Sequence, residues 1–536
     1  MKQEIFKLLI LLIILSVLSQ KAISQSKPEI EWEKTYGGYS RDELHALLPT
    51  DDNGYLLGGW TMSTDGDIKS GNKGQSDFWV VKTNEQGLIL WEKTFGLIGD
   101  EIFSDFKPTS DGGFIIGGST NMINLEKINP LSGIQNFLIY KIDKFGNIIW
   151  VKIFGGNGND ELSKIQPTDD GGFLLLGSTT SVDGDVQSRS KLTYNWLDVD
   201  IWVVKIDKNG QLLWEKSFGK INSGEGISCV YPLIGEGYLL GGYSQTNKNG
   251  ITSSYGDFYI LKIDTEGKLI WEKTYGGTSH ENISVIFSPS KNGYLLIGGT
   301  NSVDGDVQSR KSIQYQYDNF DLWIVKIDKT GNLLWEKSYG EKSIDLIQSG
   351  CITSQNDYVL AGYSDVNLNP NDVPQFDSWL VKIDSLGNKT LDKTYGGTDT
   401  DAFTSIIATN NNKFVIGGYT KSNYGDIQSG NHGAQNPWTH GRLDFWVMKY
   451  NLNFTLSNEI ITKNTNLYPN PTKDKLQIDN NEEGIISIFD ILGKLLLQQR
   501  VTKYNQVIDV SFIPSGTYIL KFNSINHHES SKFIKM

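Results

Sequence analysis

The feature that most constrains this chain is a seven-residue phrase that returns throughout the sequence. It first reads WEKTYGG at residues 32–38, and six close relatives follow at nearly even intervals. The relatives occupy residues 91–97, 150–156, 214–220, 271–277, 335–341 and 391–397. Self-similarity at a fixed period indicates a fold in which one supersecondary unit is repeated.

Each repeat contains four short apolar segments, separated by turns rich in Gly and Asp. In the first repeat the segments occupy residues 42–50, 55–61, 77–83 and 88–96. Asp side chains cap tight turns and Gly permits a positive φ, so this punctuation favours hairpins. Each repeat is therefore predicted to form a four-stranded antiparallel meander.

Segments such as YLLGG (55–59) and FWVVK (78–82) are apolar at consecutive positions, so both faces of each sheet are expected to be covered. Seven such sheets predict an all-β fold, a seven-bladed β-propeller over residues 25–452. The last repeat ends at 444–451 without a Trp strand, whereas the first Trp strand, at 29–38, has no sheet of its own. We therefore expect the N-terminal strand to complete the seventh blade and close the ring.

Most tryptophans fall at two fixed positions of the repeat. Six begin the repeated phrase in the fourth strand, and five lie in the third strand: Trp79, Trp202, Trp323, Trp379 and Trp446. We expect these eleven side chains to pack one blade against the next. Trp60, Trp196 and Trp438 fall outside the pattern.

The two cysteines, Cys229 and Cys351, fall in equivalent strands two repeats apart. A disulfide needs Cα atoms within about 7 Å, which this separation disfavours. Both are predicted to be buried free thiols.

The N-terminal segment is typical of a secretory signal peptide over residues 1–24. It combines Lys2 and Lys7 with an apolar run, and then small residues at Ala22 and Ser24. The run is shorter than the about 20 residues that a membrane anchor needs, so no stable membrane span is expected. The net charge of −13 disfavours nucleic acid as a partner.

The stretch KIDKNGQLLWEKSFG at residues 205–219 resembles the repeats of pyrroloquinoline-quinone-type propellers, in which an Asp–Gly turn precedes a strand ending in a docking Trp. The resemblance implies the fold. It does not imply the quinone cofactor, because the dedicated Ca²⁺ ligands and the catalytic Asp of those enzymes have no identified counterpart in this sequence.

After residue 452 the repeat stops. The stretches NLYPNPTKDKLQID (466–479), SIFDILGKLLLQQ (487–499) and IPSGTYILKF (513–522) resemble the type A C-terminal sorting domain of type IX secretion substrates. Residues 466–536 themselves read as a small Ig-like β-sandwich, and an ordinary accessory Ig-like domain is the alternative. Residues 453–465 would be a linker. The resemblance implies the type IX secretion machinery as a partner and a secreted or cell-surface destination.

In a propeller meander the strand 2–3 and 4–1 connections share one face. The 2–3 connections are long and variable here, so this face is the predicted working face. A carboxylate stands where the chain enters each innermost strand: Asp42, Glu101, Asp160, Glu225, Glu281, Asp345 and Asp401. The seven could form an acidic collar that attracts a cation or ligand, or each could cap a local turn.

The 2–3 connections of blades 1, 3 and 5 share an Asp-Gly-Asp motif. It places paired acids at Asp65 and Asp67, Asp183 and Asp185, and Asp304 and Asp306. These oxygens suit Ca²⁺, although Asx-turns explain the same residues without metal. No other cofactor is predicted.

Aromatic residues extend several of these connections: Tyr194 and Trp196, then Tyr315, Tyr317 and Phe320, and Trp438 beside His432 and His440. Aromatic side chains near carboxylates suit the binding of sugar rings, and local mini-cores are the alternative.

These features favour a secreted or surface-displayed, non-catalytic propeller that binds a glycan or a protein through its long connections. Two rivals stay open. One is a polysaccharide-active enzyme that uses carboxylates at the channel mouth, since glycoside hydrolysis needs two carboxyl groups about 5–9.5 Å apart. The other is a structural or adhesive surface protein.

Overall fold

A computed structural model describes most of the chain after the first 28 residues. The described residues are 29–121, 134–189, 198–246, 250, 252–290, 293–310, 319–340, 344–366, 375–409, 413–430, 442–451, 466–468, 470–479, 484–489, 495–501, 507–523 and 528–536. They fall into two compact units, one spanning Glu29–Leu452 and one that ends at Met536. All regular secondary structure in the described residues is β-strand. These residues contain no helix long and apolar enough to cross a bilayer.

The larger unit is a seven-bladed propeller of four-stranded antiparallel sheets. Blade 1 contains β2 (Asp42–Pro49), β3 (Tyr55–Thr61), β4 (Asp77–Thr83) and β5 (Ile89–Phe95). Blade 2 contains β6 (Glu101–Pro108), β7 (Phe114–Thr120), β8 (Asn136–Ile142) and β9 (Ile148–Phe154). Blade 3 contains β10 (Asp160–Pro167), β11 (Phe173–Thr179), β12 (Asp200–Ile206) and β13 (Leu212–Phe218).

Blades 4 to 6 repeat this order. Blade 4 contains β14 (Glu225–Leu233), β15 (Gly237–Thr246), β16 (Thr252–Ile263) and β17 (Leu269–Tyr275). Blade 5 contains β18 (Glu281–Ser290), β19 (Gly293–Thr300), β20 (Asp321–Ile327) and β21 (Leu333–Tyr339). Blade 6 contains β22 (Asp345–Ile352), β23 (Tyr358–Asp365), β24 (Phe376–Ile383) and β25 (Lys389–Tyr395). The predicted four-strand repeat and the blade number are confirmed.

The seventh sheet joins the two ends of the repeat region. It contains β26 (Asp401–Ala408), β27 (Lys413–Thr420) and β28 (Asp444–Asn451), with β1 (Glu29–Tyr36) as its fourth strand. In the antiparallel register of β1 and β28, Thr35 lies opposite Trp446. The first strand of every blade also contacts the first strand of the next, and that of blade 7 contacts that of blade 1. These first strands therefore surround a central axis.

The core lies between neighbouring blades. The strand-three tryptophans of blades 1, 3 and 5 pack on a Phe in the third strand of the preceding blade. The ring centroids are 4.6 Å apart for Trp79 and Phe445, and 4.5 Å apart for Trp323 and Phe258. All four side chains are fully buried, and burying a Phe contributes about 1.5–3 kcal/mol to stability.

The tryptophans of the repeated phrase make a second contact between blades. Each indole packs over the Gly of the strand 3–4 turn in the next blade, as Trp32 does at Gly87. Trp32 Nε1 also donates to the Glu85 carbonyl over 3.0 Å. The other turn glycines met by a Trp in this way are Gly146, Gly210, Gly267, Gly331 and Gly387. The repeated spacing of phrase and turn thus serves the packing between blades.

Both cysteines are free. Cys229 is buried as predicted, but Cys351 is only half-buried, because it lies next to the last residue of the innermost strand in blade 6. The prediction of complete burial therefore holds for Cys229 alone.

The C-terminal unit has two sheets. One contains β29 (Asn466–Tyr468), β30 (Lys475–Asp479) and β33 (Val507–Asp509). The other contains, in spatial order, β32 (Leu495–Val501), β31 (Gly484–Phe489), β34 (Gly516–Asn523) and β35 (His528–Lys535). Buried side chains from both sheets, among them Leu476, Ile508, Ile486 and Phe533, form one hydrophobic cluster.

Candidate functional site

The seven predicted carboxylates occupy equivalent positions, each as the first residue of an innermost strand. All seven side chains are buried: Asp42, Glu101, Asp160, Glu225, Glu281, Asp345 and Asp401. Their backbone places them where the 4–1 connection enters the blade, as expected from the sequence.

Asp160 shows how these carboxylates are held. Its Oδ2 accepts from Gly156 N and from Ser181 Oγ, each over 2.8 Å, and its Oδ1 accepts from the Thr179 hydroxyl. Hydroxyl donors at the same spacing, 19 and 21 residues after the acid, serve Asp42 and Asp401. The acid therefore ties the 4–1 connection to the end of the second strand. This is the geometry of the turn-capping alternative, and a ligand role for the collar stays a prediction.

A second acid faces most of these carboxylates across the blade interface. It lies on the third strand of the preceding blade, and its side-chain oxygen and that of the collar residue lie beside the same glycine. A methyl group added to Gly96 would lie 2.2 Å from Asp77 Oδ1 and 2.7 Å from Glu101 Oε2. Asp77 is fully buried, and its Oδ1 has no hydrogen-bond donor among the described residues.

Burial favours the protonated form of several of these acids. Burial raises the pKa of Asp42 to about 7, and Asp444 adds to the rise although Thr61, Gly38 and Ser63 donate to the carboxylate. Burial likewise raises the pKa of Asp160 to about 7. In blade 6, burial and the neighbouring Asp401 raise the pKa of Asp377 to about 6.

The Asp-Gly-Asp acids lie over the 4–1 connection, on the face expected for them. Asp65 Oδ1 accepts from Tyr39 N over 2.7 Å, and Asp67 Oδ2 accepts from Gly37 N over 3.2 Å. The equivalent acids Asp183, Asp185, Asp304 and Asp306 accept in the same way. Within the described ranges, no three His, Cys, Asp or Glu side chains are grouped to hold a metal ion. A Ca²⁺ site stays a prediction.

The acid of the repeated phrase has a role that sequence reasoning missed. Glu92 accepts from Trp79 Nε1 over 3.0 Å and from Ser70 Oγ over 2.9 Å, so it ties the 2–3 connection to the third and fourth strands. Glu215 and Glu336 receive a Trp and a Ser in the same way. The sequence contained a signal for this contact. The Asp-Gly-Asp connections of blades 1, 3 and 5 each contain the Ser, and the repeated phrase of each of these blades contains the Glu.

The predicted aromatic ligands Trp196, Tyr315, Tyr317 and Trp438 lie outside the described residues, together with Tyr194, His432 and His440. Phe320 is described, and its ring centroid lies 6.3 Å from that of His280. His280 also packs edge-on against Tyr255 at 4.8 Å. A sugar-binding role for these aromatics stays a prediction.

A ring of polar side chains on the innermost strands surrounds the central axis, where propellers have their channel, and sequence reasoning missed it as well. Every innermost strand contains a β-bulge, with the bulged residue three positions after the collar acid. A bulge re-aims its side chain. These residues are at least partly exposed and all polar: His45, Ser104, Ser163, Ser228, Ser284, Gln348 and Thr404. The sequence signal for this ring was a polar residue three positions after each collar acid.

Comparison with known proteins gives weak likenesses for the propeller. A stretch of 167 residues, 30% of this chain, is 23% identical to regulatory protein FlaEY of Caulobacter vibrioides, and it covers 17% of that protein. Among solved structures, puromycin hydrolase has a TM-score of 0.42 at 9% identity, covering 72% of this chain and 53% of the other. The α-L-arabinofuranosidase of Fusarium graminearum has a TM-score of 0.39 at 9% identity, covering 80% and 100%. Likenesses at this level carry no argument about activity.

The C-terminal unit gives a specific match. Residues 466–536 match the family described as secretion system C-terminal sorting domain. This agrees with the resemblance of the three stretches between residues 466 and 522. The protein is therefore a propeller-bearing substrate that type IX secretion exports to the cell surface or outside.

Proposed function

We propose that this protein is a non-catalytic β-propeller that binds a glycan or a protein through its long strand 2–3 connections. The observation that supports the proposal is the contrast between the two faces. The strand 2–3 connections vary from five residues (247–251) to 23 (421–443), while the 3–4 turns are short and nearly uniform. Variable segments on a rigid scaffold are where binding residues collect.

The chemistry of the collar also favours binding over hydrolysis. A hydrolase of the rival class would need two carboxyl groups that reach the substrate. The collar carboxylates instead accept hydrogen bonds from the protein's own hydroxyl and amide groups, as Asp160 and Asp401 do. Because these acids bind groups of the protein itself, the 2–3 connections are the proposed ligand contacts.

Three accessory features belong to the same proposal. The N-terminal strand closes the ring after a signal peptide is removed, an arrangement that the pairing of β1 with β28 supports. The sorting domain is an Ig-like sandwich, which its two sheets with a common cluster support. It contacts the secretion machinery, whereas the propeller meets the ligand outside the cell. Ca²⁺ binds the Asp-Gly-Asp connections.

A glycan array with the exported protein, followed by a reducing-sugar assay on every glycan bound, tests the function. Binding without release of reducing ends is the expected result. Release that is abolished by Asp160→Asn or Glu281→Gln would establish the enzyme instead. Silence in both assays would overturn glycan binding and leave a protein ligand or an adhesive role, which cell-adhesion assays separate. For Ca²⁺, a chelator is expected to lower the melting temperature, and an unchanged value would remove the metal.

A further inference from the structure

The blades differ from one another at two positions of the repeat. At both positions the unusual residues occur in blades 6, 7 and 1, which are neighbours and form one sector of the ring. At the bulge of the innermost strand, blades 2 to 5 all have Ser, whereas blades 6, 7 and 1 have Gln348, Thr404 and His45. On the second strand, opposite the residue that follows the collar acid, the same three blades have Tyr363, Tyr419 and Trp60. The other four blades have Ser119, Ser178, Tyr243 and Gly299 there.

The two positions are in direct contact within this sector. Trp60 Nε1 donates to His45 Nε2 over 3.1 Å, across neighbouring strands of blade 1. In blade 6 the Gln348 side chain hydrogen-bonds the Tyr363 hydroxyl. In blades 1 and 6 the polar edge of the aromatic is thus held by the bulged residue beside it. The three aromatics belong to the consecutive blades 6, 7 and 1, so they form an arc near the strand ends that lead into the 2–3 connections.

Charged groups complete the sector and compensate one another. Arg41 forms an ion pair with Glu43, and its guanidinium lies 5.1 Å from the centre of the Trp60 ring. Glu43 lies opposite Trp60 in the strand register. Burial raises the pKa of Tyr419 to about 12, and the nearby Glu43 and Tyr363 contribute. Tyr419 therefore stays a neutral hydroxyl between the other two aromatics.

We propose that Trp60, Tyr363 and Tyr419, with Arg41, Gln348 and His45, form a binding site for a neutral saccharide at the mouth of the central channel. This rests on the proposed function and assigns its ligand to one sector of the ring. Aromatic rings supply the apolar faces on which sugar rings stack, while their polar edges and the channel residues bind hydroxyl groups. The Arg41 guanidinium is already paired with Glu43, so it offers no uncompensated charge for an ionic ligand.

Arg41, Trp60, Tyr363 and Tyr419 are all partly exposed, so a ligand can reach them. The side chain of Arg41 is 49% exposed and that of His45 is 33% exposed. Tyr243 is the matched control, because it occupies the same strand position in blade 4 but lies among blades whose equivalent residues are Ser178 and Gly299. Its neighbours Glu161 and Glu225 belong to blades 3 and 4.

The test is a glycan array with the exported full chain, then titration calorimetry with the strongest neutral glycan. Tyr419→Ala is expected to lower affinity about tenfold or more, which is the size of one lost good contact. Tyr419→Phe and Tyr363→Phe keep the rings and remove single hydroxyls, so both variants should fold, and each is expected to lose about threefold to tenfold in affinity. Tyr243→Phe is expected to bind like the wild type.

The outcomes distinguish a failure of this proposed site from a failure of the proposed function. Wild-type affinity in Tyr419→Phe, Tyr363→Phe and Tyr419→Ala, each with an unchanged melting temperature, would overturn the channel-mouth site while glycan binding stands. Preference for acidic glycans would overturn the neutral ligand in the same way. A wild-type protein that binds no glycan on the array would overturn both the proposed glycan function and this site.

Discussion

Trp446 Nε1 donates a hydrogen bond to Glu33 Oε1 over 3.2 Å, although the two residues are 413 positions apart. Glu33 also accepts from Ser429 Oγ over 2.7 Å. In blades 1, 3 and 5 the same arrangement of Trp, Ser and Glu lies within one continuous repeat. The N-terminal strand thus gives blade 7 the acid that those blades carry on their own fourth strand.

If that strand is an equal member of the ring, Glu33→Ala should destabilise the protein as much as Glu215→Ala. Each change removes a carboxylate that accepts from an indole and a Ser, so we expect a loss of about 1.5–3 kcal/mol in the free energy of unfolding. Urea unfolding followed by tryptophan fluorescence measures it. An unaltered Glu33→Ala protein beside a weakened Glu215→Ala protein would show that the ring holds without the first strand.

The repeat predicted the strands of the propeller closely. It also has one exception in the repeated phrase, which the structure explains. Leu391 takes the place of the phrase Trp in blade 6. A Trp there would pack on the 3–4 turn of blade 7, but blade 7 has none, because its third strand ends at Asn451 and its fourth begins at Glu29. The missing Trp therefore indicated in which blade the two ends of the repeat region meet. This signal can be interpreted only when it is known that each phrase Trp packs on the 3–4 turn of the next blade.

The contact of Trp335 with Gly387 gives a second prediction. Gly387 has φ of 76°, and a methyl group there would lie 2.6 Å from Trp335 Cη2. Gly171 has φ of 80° with open space around it. Both changes to Ala should cost about 1–2 kcal/mol for the left-handed backbone, and Gly387→Ala should cost more because the indole must move. Equal melting temperatures of the two variants would contradict this account of blade packing.

The collar was harder to interpret from sequence than the strands. The positions of Asp42 and its equivalents were predicted correctly, but their burial depends on hydroxyl donors 19 and 21 residues later, on a different strand. The partner acid, such as Asp77, lies in another blade altogether. The arc of Trp60, Tyr363 and Tyr419 was out of reach, although blades 6, 7 and 1 were expected to be neighbours, because the sequence does not show the bulge that brings His45 beside Trp60 and Gln348 beside Tyr363.

The collar predicts that the protein is more stable in mild acid. Because folding raises the pKa of Asp42 and Asp160 to about 7 and that of Asp377 to about 6, the folded state binds protons more tightly than the unfolded chain. The stabilisation is complete below the unfolded value of about 4 and is lost as pH rises through about 6 to 7. We expect the melting temperature to be at least about 3 °C lower at pH 8 than at pH 5.

Surface acids do not produce this trend. The Lys141 ammonium lowers the pKa of Asp111 to about 2, so Asp111 is ionised in both states above pH 5. Asp77→Asn is the diagnostic variant, because blade 2 already has Asn136 at the equivalent position. An amide beside Glu101 can donate where a second carboxylate cannot. The variant should gain stability at pH 8 and lose part of the pH dependence; an identical slope would exclude the Asp77–Glu101 pair as a contributor.

Lys326 departs from another regularity of the ring. The third-strand lysines Lys82 and Lys205 reach acids in the strand 1–2 turn, at 2.8 Å to Asp52 and 2.6 Å to Asp170. The equivalent Lys326 has a buried Nζ with no hydrogen-bond partner in the described part of the chain, and burial lowers its pKa. The sequence of its turn, SPSKNG, contains no acid.

A buried ammonium without a partner costs desolvation energy that nothing returns, so an apolar side chain of similar length should be better tolerated there. We expect Lys326→Met to raise the free energy of unfolding by about 1 kcal/mol, whereas Lys205→Met, which breaks an ion pair, should lower it by about 0.5–1 kcal/mol. Thermal and urea unfolding of the two variants at pH 7 measure the contrast. A loss of stability in Lys326→Met equal to that in Lys205→Met would contradict the account of Lys326 as a buried ammonium that destabilises the fold.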